Sequence, residues 1–267
     1  EDCHVLVTRD GWVKRQKQIA DPGKSRVRQG DSVLACVAGS TRATIGFFSS
    51  FGVCYTCRFI DIPASTGFGD PIQKIFRLKD GEKIVSAVSF DPRLYNLVPP
   101  DENHFPEDFG IAVSSNGFAL LFSCDALIEP STRNGRRFAR VGTGHKLVGV
   151  QVIDDTYETT LAISRDCRAM VCPTSEINFL SGPGKGVTLI RLAKTDELIG
   201  FKASKGERDL LLVETNRGAQ KTISTAKYRV TGRGGKGTEI QKNGKIARIV
   251  ESVPESPPPF NLASDDS

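Results

Sequence analysis

Apolar positions along the chain fall in short alternating runs broken by polar turns, and one such unit occurs five times. It is an apolar strand, a polar turn usually closed by glycine, and a second strand. The copies are Val5-Leu-Val-Thr-Arg-Asp-Gly11-Trp-Val-Lys, Ile45-Gly-Phe-Phe-Ser-Ser-Phe-Gly52-Val-Cys-Tyr and Ile111-Ala-Val-Ser-Ser-Asn-Gly117-Phe-Ala-Leu, then Leu161-Ala-Ile-Ser-Arg-Asp-Cys167-Arg-Ala-Met and Leu211-Leu-Val-Glu-Thr-Asn-Arg-Gly218-Ala-Gln-Lys. Asp-Gly and Asn-Gly between alternating runs are strong hairpin signals. A further strand follows each hairpin, at Val33, Ile84, Leu147, Leu198 and Ile246, in steps of 51, 63, 51 and 48 residues. The hairpin turns are spaced by 41, 65, 50 and 51. Both rulers stretch over the same region, which places an insertion at the acidic, Pro-containing run 91–109. The repeats therefore cover approximately 1–40, 41–90, 110–153, 157–204 and 207–252.

No segment keeps a 3.6-residue period. Four short strands in about 50 residues, repeated, is the arithmetic of a propeller-like array whose blades bury their faces on one another. The expected fold is all-β, with five blades over residues 1–252. Val5, Val7, Ile111, Val113, Leu161 and Ile163 are expected in the core, and Trp12 is expected to pack within a blade. Residues 253–267 are Pro-rich and polar and are expected to form a disordered acidic tail.

Between the two strand signatures lies a glycine-rich loop. It reads Gly182-Pro-Gly-Lys185-Gly in repeat four and Gly232-Arg233-Gly234-Gly235-Lys236-Gly237 in repeat five. Gly69, Gly184 and Gly235 each fall 17 residues after the preceding turn residue. Asn134-Gly-Arg136-Arg137 fills the slot in repeat three, and Asp21-Pro-Gly-Lys24-Ser-Arg-Val-Arg28 in repeat one. Glycines let backbone N–H groups converge, and flanking cations then suit a phosphate oxygen. Alone, the loop also fits a flexible hairpin turn. It lacks P-loop spacing, and no helix follows it.

Charge alters the picture more than composition does. The net charge is +5, from 36 basic and 31 acidic residues. The runs 91–109 and 251–267 each carry −4, which leaves +13 on the remainder. A basic body with two acidic segments points to a polyanion partner, and the tail is expected to compete for that body. Seven cysteines without a secretory leader are expected as reduced thiols. Cys54-Tyr-Thr-Cys57 has no second pair to complete a zinc site. No catalytic constellation, metal cluster or cofactor motif is visible, and His4, His104 and His145 are scattered. No stretch is apolar and long enough to span a membrane. The chain opens Glu-Asp-Cys and reads as a piece of something longer.

The hairpin Asp10-Gly-Trp-Val-Lys14-Arg15, the repeat spacing and Tyr228-Arg-Val-Thr-Gly-Arg-Gly-Gly-Lys-Gly237 resemble the C-terminal domain of the A subunit of bacterial type IIA topoisomerases, DNA gyrase and topoisomerase IV. The resemblance extends to about Glu251. It implies a β-pinwheel, a propeller relative whose blades exchange strands. It implies a non-catalytic, monomeric fragment that binds and bends duplex DNA through a basic rim. The implied partners are the ATPase B subunit and the cleavage domain that shares this polypeptide, in a cytoplasmic, nucleoid-associated enzyme. Gyrase carries a Gln-Arg-Arg-Gly-Gly-Lys-Gly box in its first blade; the loop here, Asp21–Gly30, is a degenerate version. That departure and the five repeats lean toward topoisomerase IV, with a gyrase of decayed first box as the alternative. The expected DNA contacts are Gly232 to Gly237 with Arg233 and Lys236, then Lys185, then Lys14, Arg15, Lys17 and Lys24, and Arg136, Arg137 and Arg140. Tyr55, Tyr95, Tyr157 and Tyr228 offer no candidate for a DNA-cleaving residue. The rival expectation is a propeller that binds protein and has no nucleic-acid role.

Overall fold

A computed structural model describes residues 1–260, so tail positions 261–267 lie outside the described residues. Among the described residues all regular structure is β apart from five single-turn 3-10 segments. No helix among the described residues is long and apolar enough to cross a membrane.

Each repeat supplies three strands to its own sheet. The middle strands are Asp2–Thr8, Thr44–Ser49, Phe109–Ser114, Thr159–Ser164 and Leu211–Thr215. The outer strands, across the hairpin turns, are Trp12–Gln16, Val53–Arg58, Phe118–Phe122, Arg168–Pro173 and Gln220–Ile223. The inner strands are Val33–Ser40, Ile84–Ser89, Leu147–Ile153, Leu198–Ser204 and Ile246–Ile249. Leu34, Val85, Val148, Ile199 and Ile249, one from each inner strand, line a common cavity of about 410 Å³.

The fourth strand of a blade comes from the next repeat. Asp70–Pro71 pairs with the outer strand of blade one, Arg136–Arg137 with that of blade two, Val187–Thr188 with blade three and Thr238–Glu239 with blade four. The expectation of four strands holds for blades one, two and four. Blade three gains a fifth, Phe179–Leu180, and blade five has three.

One short motif builds every exchange. Gly69-Asp-Pro-Ile72, Gly135-Arg-Arg-Phe138, Gly186-Val-Thr-Leu189 and Gly237-Thr-Glu-Ile240 each begin on a glycine at positive φ. A Cβ there would strike the neighbouring blade's backbone, at the carbonyl oxygen of Val13, Cys54, Ala119 or Ala169. Only glycine fits such an approach. Three residues on, the apolar residue donates its N–H to the turn carbonyl of the preceding blade: Ile72 to Gly11, Phe138 to Gly52, Leu189 to Gly117 and Ile240 to Cys167, at 2.8–2.9 Å.

The apolar cores lie between blades rather than within them. One joins blades one and two around Val5, Phe47 and Phe59. The next joins two and three, where exchanged Phe138 meets Phe48 edge-on at 5.0 Å. The third and fourth join blades three to four and four to five. Burying one such aromatic contributes about 1.5–3 kcal/mol. Among the described residues no apolar cluster joins blade five to blade one.

That seam is crossed by residues 251–260, of which 253–260 were expected above as part of an unpacked tail. They form no regular structure but make contacts. Glu251 pairs with Arg9 at 2.5 Å, Ser256 donates to the Ile19 carbonyl at 2.6 Å, and the Arg93 guanidinium lies 3.6 Å from the Phe260 ring centre. Pro254 and Pro257 to Pro259 limit the freedom lost on ordering. Ending the chain at Val250 should lower stability by roughly 1–2 kcal/mol, read from urea denaturation; an unchanged midpoint would show that the seam does not need these contacts.

The insertion is anchored at its start. Asp91 is buried and accepts from the Ser40 N–H at 2.8 Å, while Arg93 bridges Asp91 and Asp2 at 2.8 and 2.7 Å. Burial alone would raise the Asp91 carboxyl, but bonds from Arg93 and the Ser40 N–H outweigh it and hold it below the ordinary range. The Arg93 hydrogen bond lowers Asp2 likewise. Depressed carboxylates stabilise the fold fully above the unfolded value, about 3.9, and that gain is lost as pH falls through the lower folded values. The protection factor of the Ser40 amide, its exchange relative to the unstructured rate at the same pH, should therefore fall below about pH 4, and Arg93→Ala should show the lowered protection at neutral pH; acid-insensitive protection would contradict the assignment.

Candidate nucleic-acid interface

The loop of repeat five lies against repeat four. Its Gly234 N–H donates to the Leu189 carbonyl at 2.7 Å, and the Gly235 carbonyl accepts from the Arg191 N–H at 2.8 Å. Arg233 is exposed, but its guanidinium donates to the carbonyls of Glu176 and Thr188 at 2.8 and 3.2 Å. The expectation that these glycines free backbone N–H groups for an anion is corrected in part. The Gly234 N–H is spent inside the protein, and Gly237 is required by the strand exchange. Lys236 stays exposed beside the loop.

The repeat-four loop follows the same plan. The Arg140 N–H donates to the Gly184 carbonyl at 2.9 Å, and the Lys185 ammonium sits 4.1 Å from the Phe118 ring centre. In repeat three, Arg136 is half-buried, donating to the carbonyls of Glu129 and Pro130 at 2.5 and 2.8 Å. Arg137 is exposed and donates to Phe51 and Ala139 carbonyls.

Lys14 departs most from its expected role. It is 1% exposed, and its ammonium donates to the carbonyls of Arg26 and Gly67 at 2.8 and 2.9 Å. Desolvation, then the nearby Arg26, push its pKa down. Lys14 is a pin between two loops and cannot meet a phosphate. Replacing it with methionine should leave duplex affinity within about twofold while costing about 1–3 kcal/mol of stability from two orphaned carbonyls; a large affinity loss without destabilisation would restore it to the interface. Arg15 is half-buried with its Nε on the Ile62 carbonyl at 3.0 Å. Lys17 and Lys24 are exposed, the latter 3.9 Å from Asp21. Arg28 lies 4.7 Å over the half-buried Trp12 ring, as a packed partner.

The structure brings forward a register of four cations, of which only Arg140 was among the expected contacts. Two residues beyond the apolar anchor of each exchange motif stands Lys74, Arg140, Arg191 or Lys242. All four are exposed. Lys74 pairs with Asp70 at 2.8 Å. None of the ion pairs among the described residues involves Arg140, Arg191, Lys242, Lys185 or Lys236. The pattern Gly-x-x-apolar-x-Lys/Arg was legible in the sequence, had the count started from the glycine that touches the neighbouring blade.

The cysteine pair has no shared site. Cys54 and Cys57 are three apart on one strand and so face opposite ways; they lie in different cores. Burial pushes each thiol up to about 12, which disfavours the thiolate that a metal or a redox partner needs.

Comparison with known proteins agrees with this architecture. A family model described as the DNA gyrase C-terminal domain, beta-propeller, matches residues 47–91, 111–154, 168–205 and 209–249. The four segments correspond to repeats two to five, and the insertion falls in the first gap. The A subunit of DNA gyrase from Haloquadratum walsbyi is 24% identical over 264 residues, covering 94% of this chain and 30% of that protein. The A subunit of DNA topoisomerase 4 from Escherichia coli K12 is 24% identical over 281 residues, covering 100% of this chain and 34% of that protein. The chain thus spans about a third of the length of these relatives. A crystal structure of the C-terminal domain of DNA topoisomerase IV superposes with a TM-score of 0.79 at 19% identity, over 94% of this chain and 77% of that one. The Escherichia coli ParC C-terminal domain gives 0.73 at 20% identity, over 94% and 98%. With five blades linked by four strand exchanges and a family match across repeats two to five, this chain belongs to the DNA gyrase C-terminal domain, beta-propeller family.

Proposed function

We infer that the chain is the DNA-binding and DNA-bending part of a type IIA topoisomerase A subunit, without catalytic residues of its own. The observation that carries this reading is the cation set in one register at each exchange, Lys74, Arg140, Arg191 and Lys242, all exposed. Lys185, Lys236 and Arg233 stand on the loops beside them. Duplex DNA offers a regular lattice of phosphates, and a cation repeated once per blade suits successive contacts along it. Among the described residues no helix exceeds a single 3-10 turn, so nothing is shaped to enter a major groove and the contacts read backbone rather than sequence. Bending a 20–30 bp segment costs on the order of 1–6 kcal/mol, which several phosphate contacts offset.

The lean toward a topoisomerase IV type rests on five repeats and the degenerate loop Asp21–Gly30. The cleavage domain that shares this polypeptide, the B subunit and nucleoid association are partners and location on this reading. Fluorescence transfer between the ends of a duplex of about 30 bp tests it. At low salt the ends should approach when protein is added, equally for unrelated sequences. Unchanged transfer with no bound complex would favour the protein-binding propeller instead.

A further inference from the structure

Among the described residues four of the five blades are completed by a donated strand, and the fifth is not. The acceptor is the same each time: the two residues after the hairpin turn, Trp12 and Val13, Val53 and Cys54, Phe118 and Ala119, or Arg168 and Ala169. The corresponding residues of blade five are Ala219 and Gln220, and among the described residues nothing pairs with their free edge. The turn residues Gly11, Gly52, Gly117 and Cys167 are buried; Gly218 is exposed, as are Ala219 and Gln220. A Cβ on Gly11, Gly52 or Gly117 would meet the donated segment, whereas one on Gly218 would meet nothing within 4 Å. Gly218 nevertheless keeps the positive φ, 80°, of the occupied turns. The Ala219 carbonyl accepts from the Thr215 N–H at 2.8 Å within the blade. Strand alternation then turns the Gln220 N–H and carbonyl outward.

We propose that this edge binds an extended segment of another polypeptide, with glycine first and an aliphatic residue fourth. The occupant is specified by the four occupied edges: Gly69–Ile72, Gly186–Leu189 and Gly237–Ile240 share that pattern, and Gly135–Phe138 keeps the glycine with Phe138 in the fourth place. The glycine lets the peptide backbone close on the outer strand. The aliphatic residue covers the turn, and its N–H reaches the Gly218 carbonyl. This is strand addition to a sheet edge, where main-chain bonds give affinity and one pocket gives selectivity. All four donor motifs of the chain are engaged at home, and the repeat-one slot has Gly23 in a 3-10 turn instead, so the described residues hold no spare donor. The inference stands apart from the nucleic-acid reading, since Gly218 to Gln220 carries none of the cations invoked there.

The probe is a labelled synthetic peptide with the chain's own repeat-four sequence, Gly184 to Arg191, titrated into the whole chain and followed by anisotropy. Saturable binding is expected, with slowed hydrogen exchange at the Gln220 amide. A peptide with alanine at the position of Gly186 should bind at least ~10-fold more weakly, because its Cβ meets the edge backbone. Gln220→Pro, which removes the outward N–H, should abolish binding; its fold is checked by circular dichroism. If that variant misfolds, the alanine peptide and the exchange data decide alone. No saturable binding, equal affinity of the two peptides, or protection elsewhere than blade five would overturn the proposal.

Discussion

Replacing Arg140, Arg191 and Lys242 together by glutamate should weaken binding to linear duplex DNA by on the order of 10², with no loss of fold. The three side chains are exposed and make no ion pair among the described residues. What Arg140 and Arg191 contribute to the junctions is their backbone N–H, to Gly184 and Gly235, and glutamate keeps it. The slope of log affinity against log salt should become shallower by about 3, roughly one unit for each phosphate no longer neutralised. The same substitution at Lys17 and Lys24, exposed on repeat one but outside the exchange register, should change affinity less. Equal losses from both sets would mean that net charge alone, and not the register, governs binding.

Gly186→Ala should be the most damaging single conservative change to the fold. Gly186 has φ of +84°, and a Cβ there runs into the carbonyl oxygen of Ala119. The obstacle is backbone in the middle of a sheet, so it cannot swing aside as a side chain would. Left-handed strain plus displacement of the donated strand should cost about 3 kcal/mol. For a chain of this size that corresponds to a melting point lower by roughly 6–12 °C. The strand Val187–Thr188 carries Leu189 and Ile190 into the core between blades three and four, so the two blades should loosen together. Gly182→Ala, four residues earlier in the same loop, meets nothing within 4 Å and should be nearly neutral. If the two alanines behaved alike, the exchange would not be what holds adjacent blades.

Much of this fold was legible from the sequence because hairpins announce themselves. Five turn residues between alternating apolar runs gave the blade count, and the stretched interval placed the insertion. The fourth strand of each blade was not legible. A two-residue strand such as Asp70–Pro71 is too short to show a period, and its partner lies in another repeat. Counting 17 residues from the turn reached Gly69, which does touch the neighbouring backbone, but in repeats four and five it landed on Gly184 and Gly235. Those fall two residues short of Gly186 and Gly237, so the register of Arg191 and Lys242 stayed hidden. Strand docking against the carbonyls of Ala119 and Ala169 accounts for Gly186 and Gly237. Lys14 misled for a different reason. Alternation after buried Val13 points it outward, yet the carbonyls of Arg26 and Gly67, 12 and 53 residues away, close over its ammonium. Contacts of that separation leave no mark in a local pattern.

The most direct test of the account is the affinity of the whole chain for a random-sequence duplex, titrated across about 50–200 mM salt. If the cations at the exchanges and their loops neutralise about 6–10 phosphates, affinity should fall by roughly 10³–10⁵ over that range, whatever the sequence. An affinity that hardly changes with salt, or no complex at the low-salt end, would contradict a phosphate-gripping role for this domain.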